Sequence, residues 1–209
     1  MLQLIIASFA KRQAYRATVG ALCALSLLSG CATHYVDPAL KDLTLQETYR
    51  ANNPKPVQML FEFQTKGATN AAATKTLLPR VTETVQNSQL FSKIDTAPVE
   101  GGAVLNVVVN NVVLTDNAFS KGFMSGLTLG AVGSTVTDGY ICTVDYLPGG
   151  NAPKITRTAR HAIHTAMGSA GVPAGVAKAD SIQAAVETML RQIVSHALND
   201  VAADPSFNK

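Results

Sequence analysis

The chain has 209 residues, of which 17 are Lys or Arg and 14 Asp or Glu; three of the bases (Lys11, Arg12, Arg16) and none of the acids precede Cys31, leaving 14 charges of each sign in the remainder. A neutral chain without a basic cluster lacks the electrostatic footprint of a nucleic-acid binder, so nucleic acid is excluded as a leading partner and the pI of 8.8 belongs to the first thirty residues. With 30 of the 209 residues removed, 179 remain, enough for one domain and a tether but not comfortably for two domains.

Lys11, Arg12 and Arg16 precede an uncharged apolar run of 12 residues, Ala17 to Leu28. That run is too short to span a bilayer as a helix, which needs about 18 to 20 residues, and suits a cleavable export signal. Residues 1–30 are therefore expected to form a signal peptide. The sequence Leu28-Ser29-Gly30-Cys31 resembles the bacterial lipobox, an aliphatic residue and two small ones before a cysteine. The resemblance implies a lipoprotein: diacylglycerol on the Cys31 thiol, cleavage before Cys31, and usually an acyl chain such as palmitate on the new amino group. Two or three chains make a stable anchor where one gives only marginal binding. Ala32 and Thr33 follow, where lipoproteins kept at the inner membrane commonly carry Asp first, so the resemblance implies the outer membrane with the domain in the periplasm. Met1 to Ala10 is an uncharged segment ahead of the positive charges, which leaves open a later translation start with the same mature chain.

Residues 31–56 are polar and broken by Pro38, Pro54 and Pro56, with a short helix expected around Leu43 to Arg50. They read as a lipidated tether whose task is reach. A single α+β domain is expected over 57–205. Val57 to Thr65 is its first strand, ended by Lys66-Gly67. Asn70 caps a helix with Leu77, Val81 and Val85 on one stripe, and Pro79 is expected to kink or split it near Leu78.

The stretch Val85-Gln-Asn-Ser-Gln-Leu-Phe-Ser-Lys-Ile94 is similar to the corresponding turn in small envelope-assembly lipoprotein domains and in the amino-terminal domain of the Tol-system periplasmic protein. That likeness covers element order and about ten residues, and it implies no binding residue. Val104 to Leu114, rich in β-branched residues, is expected to be a central strand. Tyr140 to Leu147 and Lys154 to Met167, joined through Pro148-Gly149-Gly150-Asn151, form an antiparallel hairpin. Asp180 opens the last helix in a capping-box pattern with Gln183; Ile182, Val186, Met189, Ile193, Ala197 and Val201 give its apolar stripe, and Asp204-Pro205 ends it. The order β-α-β-β-β-α predicts a mostly antiparallel sheet with two helices packed on one face.

Chemistry is sparse. His161 and His164 are three apart on a strand, so they point to opposite faces and cannot readily share a metal; one is expected at the surface and the other hydrogen-bonded at the sheet edge. His34 falls in the tether. Ser195 and His196 are adjacent on a helix, about 100° apart, and no nucleophile elbow is present, so a hydrolase has no residues to support it. Lys154, Arg157 and Arg160 read as a solvated strand rather than a lipid-phosphate site. Cys142 is left as the one thiol after cleavage and lipidation and reads as a small buried hydrophobe, an intermolecular disulfide being the alternative. No cofactor, metal or catalytic residue is assigned.

The expected function is a non-enzymatic binding or envelope-assembly module, with the membrane as partner through Cys31 and an envelope protein or lipid as its ligand. Gly122 to Thr137 holds 16 uncharged residues between Lys121 and Asp138, with Gly122, Gly126 and Gly130 at four-residue spacing. Such a stripe lets backbones approach closely, which supports the alternative of a self-associating, membrane-active lipoprotein; the favoured reading is a segment that covers its own sheet. On that reading Gly126→Leu overpacks a fixed space and lowers the stability of the monomer by about 1 to 3 kcal/mol. A thermal melt beside size-exclusion chromatography checks this, and conversion of a stable oligomer into an equally stable monomer would favour the alternative.

Overall fold

The computed structural model describes residues 32–114, 135–168 and 170–208. The chain divides at Ala32, and the unit described is Thr33–Lys209. Cys31 and the glycines 122, 126 and 130, like most of the segment 122–137, lie outside the described residues.

Runs of β-branched and aromatic residues form the long strands: β2 (Lys55–Thr65), β5 (Val104–Val113), β6 (Thr135–Leu147) and β7 (Ile155–Met167). Four short strands join them: β1 (Ala32–Val36), β3 (Ala68–Thr69), β4 (Phe91–Asp95) and β8 (Ala177–Ala179). The described strands make one sheet in the order β3-β2-β5-β6-β7-β1-β8, with β4 beside β2. Pairing is parallel for β2 with β5 and with β4, and antiparallel for β5 with β6 and β6 with β7. The α+β class and the mostly antiparallel sheet expected from the sequence are present. The β6–β7 turn needs glycine at one point: Gly149 has φ +87°, and a Cβ there would run into the backbone carbonyl of Gly101.

Two helices, α1 (Ala71–Asn87) and α2 (Ile182–Ala202), are described. Asn70 caps α1 as expected, its side chain accepting from the Ala73 N–H at 3.0 Å. Pro79 lies inside α1 without splitting it; its cost is one missing donor, and Val81 and Val85, both fully buried, hold the turns beyond it to the core. The cap of α2 is Ser181 rather than Asp180, its side chain accepting from the Ala184 N–H at 3.1 Å. Met189, Ile193, Ala197 and Val201 of the expected stripe are fully buried, whereas Ile182, at 46% exposure, belongs to a first turn outside the core.

Alternate residues of the strands meet this helical layer: Leu105, Val107 and Val109 from β5, Cys142 and Val144 from β6, Ile163 from β7. At one end the rings of Phe91, Tyr146 and Phe207 pack at tilted and edge-on angles, with centroids 5.2 Å apart for the Tyr146–Phe207 pair, so packing continues past the expected end at residue 205.

The tether reading of residues 31–56 is corrected by this structure. Ala32–Val36 is a sheet strand lying between β7 and β8, and His34 Nδ1 sits 3.0 Å from Thr165 Oγ1. Leu43 to Arg50 forms a turn at residues 45–47 in place of the expected helix. Polarity and prolines signalled exposure, but exposure on one side is compatible with docking on the other.

Ile193→Asp buries an unpaired charge between α2 and the sheet and is expected to destabilise the fold by more than about 3 kcal/mol. Ile182→Asp should leave the melting temperature nearly unchanged, and thermal melts of the two variants check the contrast.

Candidate functional site

Strand alternation sends His161 and His164 to opposite faces, as their spacing requires: His161 pairs in register with Tyr140, and His164 with Thr137. Both are fully buried, which corrects the expectation of a surface histidine and an edge histidine. The physical reason is that β7 is an inner strand, β1 lying on its far side.

On the helical face, His161 Nδ1 accepts from the Ala162 N–H at 2.9 Å, which places the ring proton on Nε2, 2.8 Å from the Gln192 side-chain oxygen. Burial pushes the His161 pKa down, opposed by the Gln192 hydrogen bond. On the other face, His164 Nε2 donates to Asp37 Oδ2 at 3.0 Å, and its Nδ1 lies 2.9 Å from Thr137 Oγ1. Asp37 also accepts from the Ala39 N–H. Carboxylate, imidazole and hydroxyl stand in the order of a catalytic relay, but Asp37 and His164 are 1% and 0% exposed. The group is a clasp between β1, β6 and β7.

An accessible concavity lies elsewhere. Residues 38–53 run as a strap across the polar side of α2. Arg191 donates from Nε and Nη2 to the two oxygens of Asp42, each at 2.9 Å, and this hydrogen-bonded pair draws the Asp42 pKa down and the Arg191 pKa up. His196 Nε2 donates to the Lys41 carbonyl at 2.8 Å. Asn199 grips both ways, donating to the Glu47 carbonyl and accepting from the Tyr49 N–H. Under the strap is a cavity of about 290 Å³, walled by Leu43, Leu45, Tyr49 and Arg50 of the strap, by Leu90 after α1, and by Arg191, Ser195 and Leu198 of α2. Volumes from about 300 Å³ are usual for ligand sites.

Several reactive side chains near the cavity are engaged in other contacts. Ser195 lines the cavity, yet the neighbouring His196 is committed to the strap carbonyl. Lys154 and Arg157 are held by Asp145 and Asp204, so they do not form a basic cluster with Arg160. The Cys142 thiol is buried and pushed up to about 12, hence protonated and unreactive, in keeping with its reading as a small hydrophobe. Among the described residues no group of three or more His, Cys, Asp or Glu could hold a metal ion, and no helix is long and apolar enough to cross a membrane. The sequence reading missed Asp37, Gln192, Arg50 and Asn199; the one available signal was the polar stripe Arg191, Ser195, Asn199 at four-residue spacing.

No protein-family model matches the chain, and no curated protein is similar to it in sequence. Among solved structures, a PelC dodecamer from Paraburkholderia phytofirmans is similar at 11% identity and a TM-score of 0.35, covering 84% of this chain and 99% of that one. Rare lipoprotein B from Shewanella oneidensis is similar at 12% identity and a TM-score of 0.34, covering 71% of this chain and 95% of that one. At such low identity and TM-score, neither likeness transfers a ligand or partner to this chain.

Because the folded state binds a proton at His161 less readily than the unfolded chain, stability is full above the ordinary histidine pKa of about 6.5 and falls as pH drops through it. His161→Gln should flatten the loss of melting temperature between pH 7.5 and pH 5, as followed by thermal melts across that range.

Proposed function

We propose that this chain is a bacterial outer-membrane lipoprotein, anchored through lipid on Cys31, whose periplasmic domain is a non-enzymatic binding or envelope-assembly module. The observation that carries the reading is the sequence of basic and then apolar residues ending in Leu28-Ser29-Gly30-Cys31, immediately ahead of the folded unit that starts at Thr33. The non-enzymatic part is supported by how the reactive side chains are used: His161 and His164 are sealed in hydrogen bonds, and His196 holds the strap. The partner is an envelope protein or lipid, with no nucleic acid and no cofactor.

Growth with a labelled palmitate precursor, followed by membrane fractionation, tests the anchor. Wild type should carry label and sediment with the outer membrane, and Cys31→Ser should lose both properties. An unlabelled, soluble wild-type protein, or a Cys31→Ser variant that still takes up label, would refute the proposal.

A further inference from the structure

The strap packs on the core through Leu40 and Ala51 near its two ends, while its middle is tied to α2 by the polar bonds of Arg191, His196 and Asn199. Segments of that kind, with few buried apolar contacts, open at low cost. Its middle nevertheless carries Leu45 and Tyr49, 81% and 55% exposed, on the rim of the 290 Å³ cavity, with Leu43, Leu90 and Leu198 in the wall.

Charge at the rim is unbalanced. The Arg191 guanidinium is neutralised by both oxygens of Asp42. Arg50 lines the same cavity, and no ion pair involving it is present among the described residues. A hollow lined by four leucines among polar side chains, with a guanidinium that has no ion pair among the described residues, is complementary to an apolar chain ending in an anion.

We infer that the cavity under the strap binds a single-chain anionic lipid, its acyl chain against Leu43, Leu45, Leu90 and Leu198 and its head group on Arg50. The inference deepens the anchored-module reading, on which it rests for the source of the lipid. The strap supplies Leu43, Leu45 and Arg50 together, so the segment that borders the opening also contacts the chain. Asn199 stands at the polar wall, where its bonds to Glu47 and Tyr49 keep the strap in register, and Ser195 lines the cavity beside it.

The full chain, reconstituted in phosphatidylcholine nanodiscs, is photolabelled with diazirine-bearing palmitate and mapped by peptide mass spectrometry. Labelling is expected within residues 43–50 and at Leu90 or Leu198. It should fall about tenfold in Arg50→Glu, where an attraction becomes a repulsion, and also in Leu45→Asp. Both positions are exposed, and unchanged thermal melts confirm that the variants are folded. A diazirine-bearing alkyl trimethylammonium of the same length should label the cavity weakly in wild type and better in Arg50→Glu. Equal labelling by both heads, labelling insensitive to Arg50→Glu, or no labelling of these residues would overturn the inference. Intact mass of the same sample reports lipid on Cys31, so failure of the anchor and failure of the cavity assignment read out separately.

Discussion

Two imidazoles buried three residues apart on one strand set the terms for everything packed against it. A polar ring out of reach of water must find partners inside the protein or cost the fold several kcal/mol. His161 meets that demand with Gln192 and the Ala162 N–H, and His164 with Asp37 and Thr137. No buried side-chain nitrogen or oxygen among the described residues lacks a partner. Those partners come from α2, from β6 and from the segment just after β1, so the two rings tie together parts of the chain that are far apart in sequence. The helical layer is locked on one side of β7 by the first ring, and the amino-terminal strand on the other by the second.

The strap belongs to the same scheme. Once β1 is placed beside β7, the chain must return across α2 to reach β2, and the polar side of α2 offers it Arg191, His196 and Asn199. These bonds lie near the surface and are individually weak. Their collective effect is positional: they set where the strap crosses α2, and the hollow lies between that crossing and Leu90 and Leu198.

What was legible in the sequence follows from the range of the forces involved. α2, β5 and the β6–β7 hairpin announce themselves through local periodicity, because each buries a face through its own repeating residues. The short strands do not. β4, Phe-Ser-Lys-Ile-Asp, has no alternation to distinguish it from a turn, and β1 is recognisable only once β7 and β8 stand on either side. Gln192 interrupts the apolar face of α2 for a reason visible only when His161 is opposite it. The cavity was equally hidden, since its walls are about 150 residues apart in sequence, as with Asp42 and Arg191. Only the polar stripe of α2 hinted that something would lie across it.

The placement of β1 bears on how the protein would carry mechanical load. The strand begins at Ala32, the residue after Cys31. If the lipid is on that cysteine, a pull from the bilayer has no slack to take up and passes directly into the β1 ladder and its side-chain fastenings, His34 to Thr165 and Asp37 to His164. The load would then fall on strand pairing and buried side-chain bonds rather than on a loop.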